Sequence, residues 1–77
     1  MARTLEITGA TIRLGQLLKL AGLVASGSEV KLLLAGQTVS VNGERETRRG
    51  RQLHADDRVR VGEHELLVVS AAHDDKL

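Results

Sequence analysis

Three arginines, Arg48, Arg49 and Arg51, surround Gly50, and Arg45 lies on the same polar stretch, residues 44–51. A guanidinium stays charged at any physiological pH, and its planar fork can give a phosphate two parallel hydrogen bonds, which the point charge of lysine does not offer. Gly50 leaves the backbone room to approach a sugar-phosphate chain closely. Lys31, Lys19 and Arg13 would extend the same cationic surface from the preceding segments. Ser26-Gly27-Ser28 has the look of a helix start, where free amides and the helix dipole favour an anion, with Ser26 as the cap and Ser28 turned toward the ligand. The candidate anion-binding set is therefore Arg13, Lys19, Ser28, Lys31, Arg45, Arg48, Arg49 and Arg51. For each of these residues the competing reading is ordinary solvated surface or simple capping.

The charge distribution supports a polar molecule with one basic side. The net charge is only +1, but residues 10–51 hold seven Lys and Arg against three Glu, a net +4, while residues 52–77 carry −3. With no Phe, Tyr or Trp, base stacking is not available, so a nucleic acid would be read through phosphates, sugar hydroxyls and shape, and a structured one is expected over a free single strand. About four to six phosphate contacts would make such binding sensitive to salt. Phosphate contacts alone do not separate RNA from DNA, so DNA stays open.

Other chemistries find little support. The chain has no cysteine, hence no thiolate nucleophile, disulfide or thiolate metal site. His54, His64 and His73 lie nine or ten residues apart with no metal-ligand spacing around them. Gly9 and Gly15 bracket five residues, but no Gly-Lys-Ser/Thr follows, so there is no phosphate-binding P-loop. The adjacent acids Asp56-Asp57 and Asp74-Asp75 read as turn and tail rather than as a catalytic pair. No enzyme activity and no cofactor are expected. No apolar run approaches the roughly 20 residues of a membrane span, and the expectation is a cytoplasmic monomer.

The elements that must position the cations follow from periodicity. Residues 4–8 alternate polar and apolar and read as a strand ended by Gly9. From residue 12 to 23 the apolar positions fall on one face of a helix, expected over residues 15–21 with Gly15 as N-cap and Gly22 just beyond the end. Ser26 and Glu29 have capping-box spacing: the Ser26 hydroxyl would accept from the Glu29 amide, and the Glu29 carboxylate would reach back to the Ser26 amide. The second helix should carry Val30, Leu33 and Leu34 into the core, place Lys31 elsewhere and end near Gly36, making a helix-turn-helix-like pair. Residues 38–41 alternate into Asn42-Gly43, a strong hairpin turn signal. The polar stretch 44–51 then leads to Gln52-Leu53, and strands are expected over residues 58–61 and 64–69, with turns at Asp56-Asp57 and Gly62-Glu63. The last run is apolar enough that a free edge there would invite association with a partner or a second copy. One domain over residues 1–70 with a tail over 71–77 completes the expectation.

Blocks of this sequence resemble a known family. They are Leu14-Gly15-Gln16-Leu17-Leu18-Lys19-Leu20-Ala21-Gly22-Leu23-Val24, Ser26-Gly27-Ser28-Glu29-Val30-Lys31, Val39-Ser40-Val41-Asn42-Gly43-Glu44 and Glu46-Thr47-Arg48-Arg49-Gly50-Arg51-Gln52-Leu53. Together they resemble the alpha-L RNA-binding domain first defined in the fourth protein of the small ribosomal subunit, and most of all its stand-alone YbcJ/YaaA-type branch of ribosome-associated proteins. The resemblance implies an α+β fold, with two short helices on a small, mostly antiparallel sheet. It also implies RNA docking along the second helix and the adjoining basic loop, with ribosomal RNA or a ribosomal particle as partner. Two departures stand out: Gly36-Gln37, where the family places its glycine one residue later, and Asp56-Asp57, where Gly-Asp is usual.

Overall fold

Without aromatic rings, the interior has to be filled by branched aliphatic side chains drawn from most of the elements. The computed structural model describes residues 2–36 and 38–70. In chain order the described residues form β1 (Ala2–Ile7), β2 (Thr11–Arg13), α1 (Leu14–Leu20), α2 (Gly27–Ala35), β3 (Val39–Val41), β4 (Glu44–Arg45), β5 (Gln52–His54), β6 (Arg58–Val61) and β7 (His64–Ser70). The main sheet has the order β1-β7-β6-β3-β4, antiparallel except for the parallel pair β1 and β7. A second, two-stranded sheet joins β2 to β5. This is the expected α+β fold.

Strand alternation sorts the main sheet into two faces. Leu5, Ile7, Val39, Val41, Val59, Val61, Leu66 and Val68 are buried on the inner face, against Leu14, Leu17 and Leu18 of α1 and Val30 and Leu34 of α2. Leu53 of β5 is fully buried in the same cluster, and Leu33 is only partly covered. The opposite face carries Thr4, Glu6, Ser40, Arg45, Arg58, Arg60, Glu65, Leu67 and Val69, as the register requires. No described helix is long and apolar enough to cross a membrane.

Several local expectations hold. Asn42 and Gly43 both take positive φ, 52° and 88°, as a primed hairpin turn demands. Gly22 takes φ 77° after the C-cap Ala21 and so terminates α1. The Ser26 hydroxyl accepts from the Glu29 amide at 3.4 Å, but the Glu29 carboxylate reaches the amide of Ala25, at 2.7 Å, instead of that of Ser26.

Other expectations need correction. The first helix starts one residue earlier than expected, at Leu14, with Arg13 as its N-cap, so Gly15 lies inside it. Residues 11–13 are a strand, because Ile12 pairs with Leu53, some forty residues away, and that pairing overrides helical periodicity. β7 lies between β1 and β6, so its apolar run has both edges hydrogen-bonded and the argument for association through a free edge fails. The second helix, by contrast, ends where expected, with Gly36 as its C-cap at φ −76°. The expected tail, residues 71–77, lies outside the described residues.

Asp56 is left-handed, with φ 77°, in a turn closed by the Asp57 amide donating to the His54 carbonyl at 3.1 Å and tied to β7 by the Asp56 amide donating to the Val68 carbonyl at 2.8 Å. The departure noted in the sequence thus sits at a position where a missing Cβ relieves strain. Asp56→Gly is expected to raise the urea midpoint by the equivalent of roughly 0.5–1 kcal/mol, whereas Asp56→Val, β-branched at a positive φ, should lower it by about 1 kcal/mol or more.

Candidate nucleic-acid interface

Packing three arginines into one turn requires an anion nearby, and Glu46 supplies it. It is the one buried charged residue among those described, at 5% exposure. Its Oε2 accepts from the amides of Thr47 (3.1 Å) and Arg48 (3.0 Å) and from Arg48 Nε (3.0 Å). Its Oε1 accepts from Arg51 Nη1 at 2.7 Å and Arg48 Nη2 at 3.3 Å. Every lone-pair direction of this carboxylate is therefore used, as a buried charge needs. Arg48 keeps a 73% exposed side chain, so most of its five N–H donors still face solvent.

The backbone of the same turn caps the first helix. Leu14 and Gly15, whose amides have no partner within α1, donate to the carbonyls of Arg51 and Arg49, both at 2.9 Å. A Cβ on Gly15 would lie 3.5 Å from Arg49 Cβ and 3.4 Å from Val30, so loop and both helices meet closely there. Gln16 of α1 turns its Oε1 back to the Arg13 amide, at 3.5 Å. The arginine turn is held at three places by protein groups.

Arg49 occupies the centre of the resulting surface. Its side chain makes no ion pair among the described residues, and its Nη1 lies within 4 Å of the Cβ position at Gly27, in the first turn of α2. It borders two shallow grooves. One, of about 290 Å³, is lined by Arg13, Gln16, Lys19 and Gly27 with Arg49 and Gly50. The other, of about 430 Å³, runs between Lys31, Leu34 and Ala35 of α2 and Thr47 and Arg49 of the turn. Arg13, Lys19, Lys31 and Arg49 are thus brought together, with Arg48 and Arg51 tied alongside by Glu46.

Two residues of the sequence-derived set lie elsewhere. Arg45 pairs with Ser40 and shares its face of the sheet, the one turned away from the helices. Ser28 is exposed on α2 but lines neither groove. Glu46, Thr47 and Gln16 were missed by sequence reasoning. The one signal for Glu46 was an acid flanked by arginines two and five residues on, which also reads as surface.

The hydrogen bonds from Arg48 and then Arg51, with that from the Arg48 amide, lower the Glu46 pKa from 4.5 to about 2, outweighing the opposing effect of burial. The same pairing raises the pKa of Arg48, which stays charged. A lowering of that size corresponds to roughly 3 kcal/mol, which solvent screening at the exposed Arg48 reduces to about 2. Because the folded-state pKa is depressed, this contribution is complete above pH 4.5 and is lost as the pH falls toward 2. Glu46→Gln should therefore cost about 2 kcal/mol at pH 7, measured by urea denaturation, and the gap to wild type should close progressively below pH 4.5.

The S4 domain family matches residues 5–69. A protein of Bacillus subtilis (strain 168) described as a probable ribosome maturation protein, RlbA, is 43% identical over 61 residues, covering 79% of this chain and 86% of the relative. A family match over most of the chain, a relative of this identity and the helix pair on a mostly antiparallel sheet agree: the chain belongs to the S4 domain family.

Proposed function

We propose that the chain is a non-catalytic RNA-binding protein that docks structured RNA along α2 and the arginine turn, reading phosphates and shape. The observation that carries this reading is Arg49, anchored through its backbone carbonyl and free of any carboxylate among the described residues, where two grooves lined by Arg13, Lys19 and Lys31 meet. Cations held in a fixed arrangement keep their donors directed outward, so little ordering cost is left for the moment of binding. Arg48 and Arg51, oriented by Glu46, add charge-assisted donors beside the grooves. Ser28, exposed in the first turn of α2, is a peripheral contact in this reading.

Ribosomal RNA or a ribosomal particle is the partner we propose, supported by the similarity to the Bacillus probable ribosome maturation protein. In this reading the protein acts in the cytoplasm as a monomer, with residues 1–70 as its one RNA-binding domain. The same phosphate contacts would serve DNA, so the polymer is decided by groove width and 2′-hydroxyls.

Binding to a structured ribosomal RNA fragment, a single-stranded RNA and a DNA duplex of matched length, each at several salt concentrations, tests this. Preference for the structured RNA is expected, with a log–log salt slope of about −4. The double reversal Lys31→Glu/Arg49→Glu, at two exposed positions that take no part in holding Glu46, should weaken binding at least a hundredfold while the far-UV spectrum stays that of wild type. Unchanged affinity in that folded variant would remove the helix-side surface from consideration, and equal binding to the DNA duplex would remove the preference for RNA.

A further inference from the structure

The face of the main sheet turned away from both helices has a chemistry that the helix-side grooves do not explain. The register aligns Arg45 of β4, Ser40 of β3, Arg60 of β6 and Glu65 of β7 in one row across four strands. Arg58 projects from the same face of β6, beside Arg60, and pairs with Glu65 at 3.5 Å. Arg45 and Arg60 are exposed and make no ion pair among the described residues; the Arg60 Nε bonds only the Gly62 carbonyl, at 3.4 Å. Two strand spacings put their Cα atoms roughly 10 Å apart, with small, polar Ser40 between them. No described element covers this face.

We propose that this open face is a second polyanion-binding surface, on which Arg45 and Arg60 hold the phosphate backbone of a second RNA segment, so that the domain bridges two segments on opposite sides of its sheet. Charge complementarity selects the occupant. Two unpaired guanidiniums flanking a hydroxyl, with Glu65 engaged by Arg58 and Glu6 further off on β1, offer donors to an anion. The row also lies beside a groove lined by Ser40, Asn42, Gly43, Arg58, Arg60 and Glu65, the last paired to Arg58, which provides a floor for an extended chain. The helix side cannot reach the same segment, because the buried aliphatic layer and the sheet itself lie between the two faces. Arg45, which the sequence grouped with the arginine turn, belongs to this second surface. Bridging depends on the helix-side reading above, whereas contact at Arg45 and Arg60 does not.

The test uses the full chain with a structured ribosomal RNA hairpin, half of it donor-labelled and half acceptor-labelled. Wild type is expected to bring two hairpins within energy-transfer distance when protein is limiting. Arg45→Gln/Arg60→Gln, on exposed strand positions, should keep single-hairpin affinity within about twofold, with its salt slope unchanged, but lose the transfer signal. Arg45→Lys/Arg60→Lys, which retains the charge, should recover part of the signal. Lys31→Glu/Arg49→Glu should retain weak binding that the further Gln pair removes. Energy transfer that survives the Gln pair, or wild type that holds only one hairpin at every ratio, overturns the proposal and leaves the face to a protein partner. If the Gln pair abolishes all binding while Lys31→Glu/Arg49→Glu changes nothing, the sheet face stands and the helix-side reading falls. Wild type that binds no RNA removes both.

Discussion

A single buried carboxylate makes the basic surface of this protein possible. Arginines at positions 48, 49 and 51 repel one another, and a turn carrying them has no reason of its own to adopt one shape. Glu46 resolves this by accepting from two guanidiniums and two backbone amides at once. Its own amide donates to the Val39 carbonyl at 3.0 Å, so the carboxylate is anchored to the last rung of the sheet. With the turn fixed, the Arg49 and Arg51 carbonyls are in place to cap α1, and α1 in turn presents Lys19 toward Arg49. Sheet edge, arginine turn and helix start form one mechanical chain, and its free end is the unpaired guanidinium of Arg49.

The division of labour among the arginines follows from it. Arg51, whose side chain is 31% exposed, is chiefly a structural partner of Glu46, and Arg48 is shared between Glu46 and solvent. Arg49 has its backbone tied down and its charge uncommitted. A cation near the first turn of a helix is unfavourable in itself, since both carry positive potential. In the proposed reading an incoming phosphate relieves that juxtaposition at Gly27, so that rigid placement of repelling groups favours an anion.

The sheet behaves differently on its two sides. On one, alternating Val and Leu residues merge with the leucines of α1 into a core with no polar atom other than those of the backbone and Glu46. On the other, the same alternation lays out Ser40, Arg45, Arg58, Arg60 and Glu65 at strand spacing. A small aliphatic core has little stability in reserve, which explains why the charged positions rest on regular strands or on a fully satisfied turn. Neither surface depends on a long flexible loop.

Much of the fold was legible in the sequence, because the signals concerned act over two to four residues. The Asn42-Gly43 turn, the Ser26 cap, the glycine after α1 and the strand alternation of residues 58–61 and 64–69 are all consequences of local sterics, hydrogen bonding or periodicity. The cationic character of residues 13–51 was equally plain from residue types alone. Tertiary structure decided whatever depends on distant partners. β2 exists because residues 11–13 meet 52–54, and the helix start moves to Leu14 as a result. Arg45 and Arg49, four residues apart on one polar stretch, diverge because one is paired into a strand and the other follows it into a turn. Glu46 looked like one more surface acid until burial left it a single environment in which its charge could survive, between Arg48 and Arg51. Residue types determine which charges a chain carries, but only the packing of remote segments determines which of them are spent on one another and which remain for a ligand.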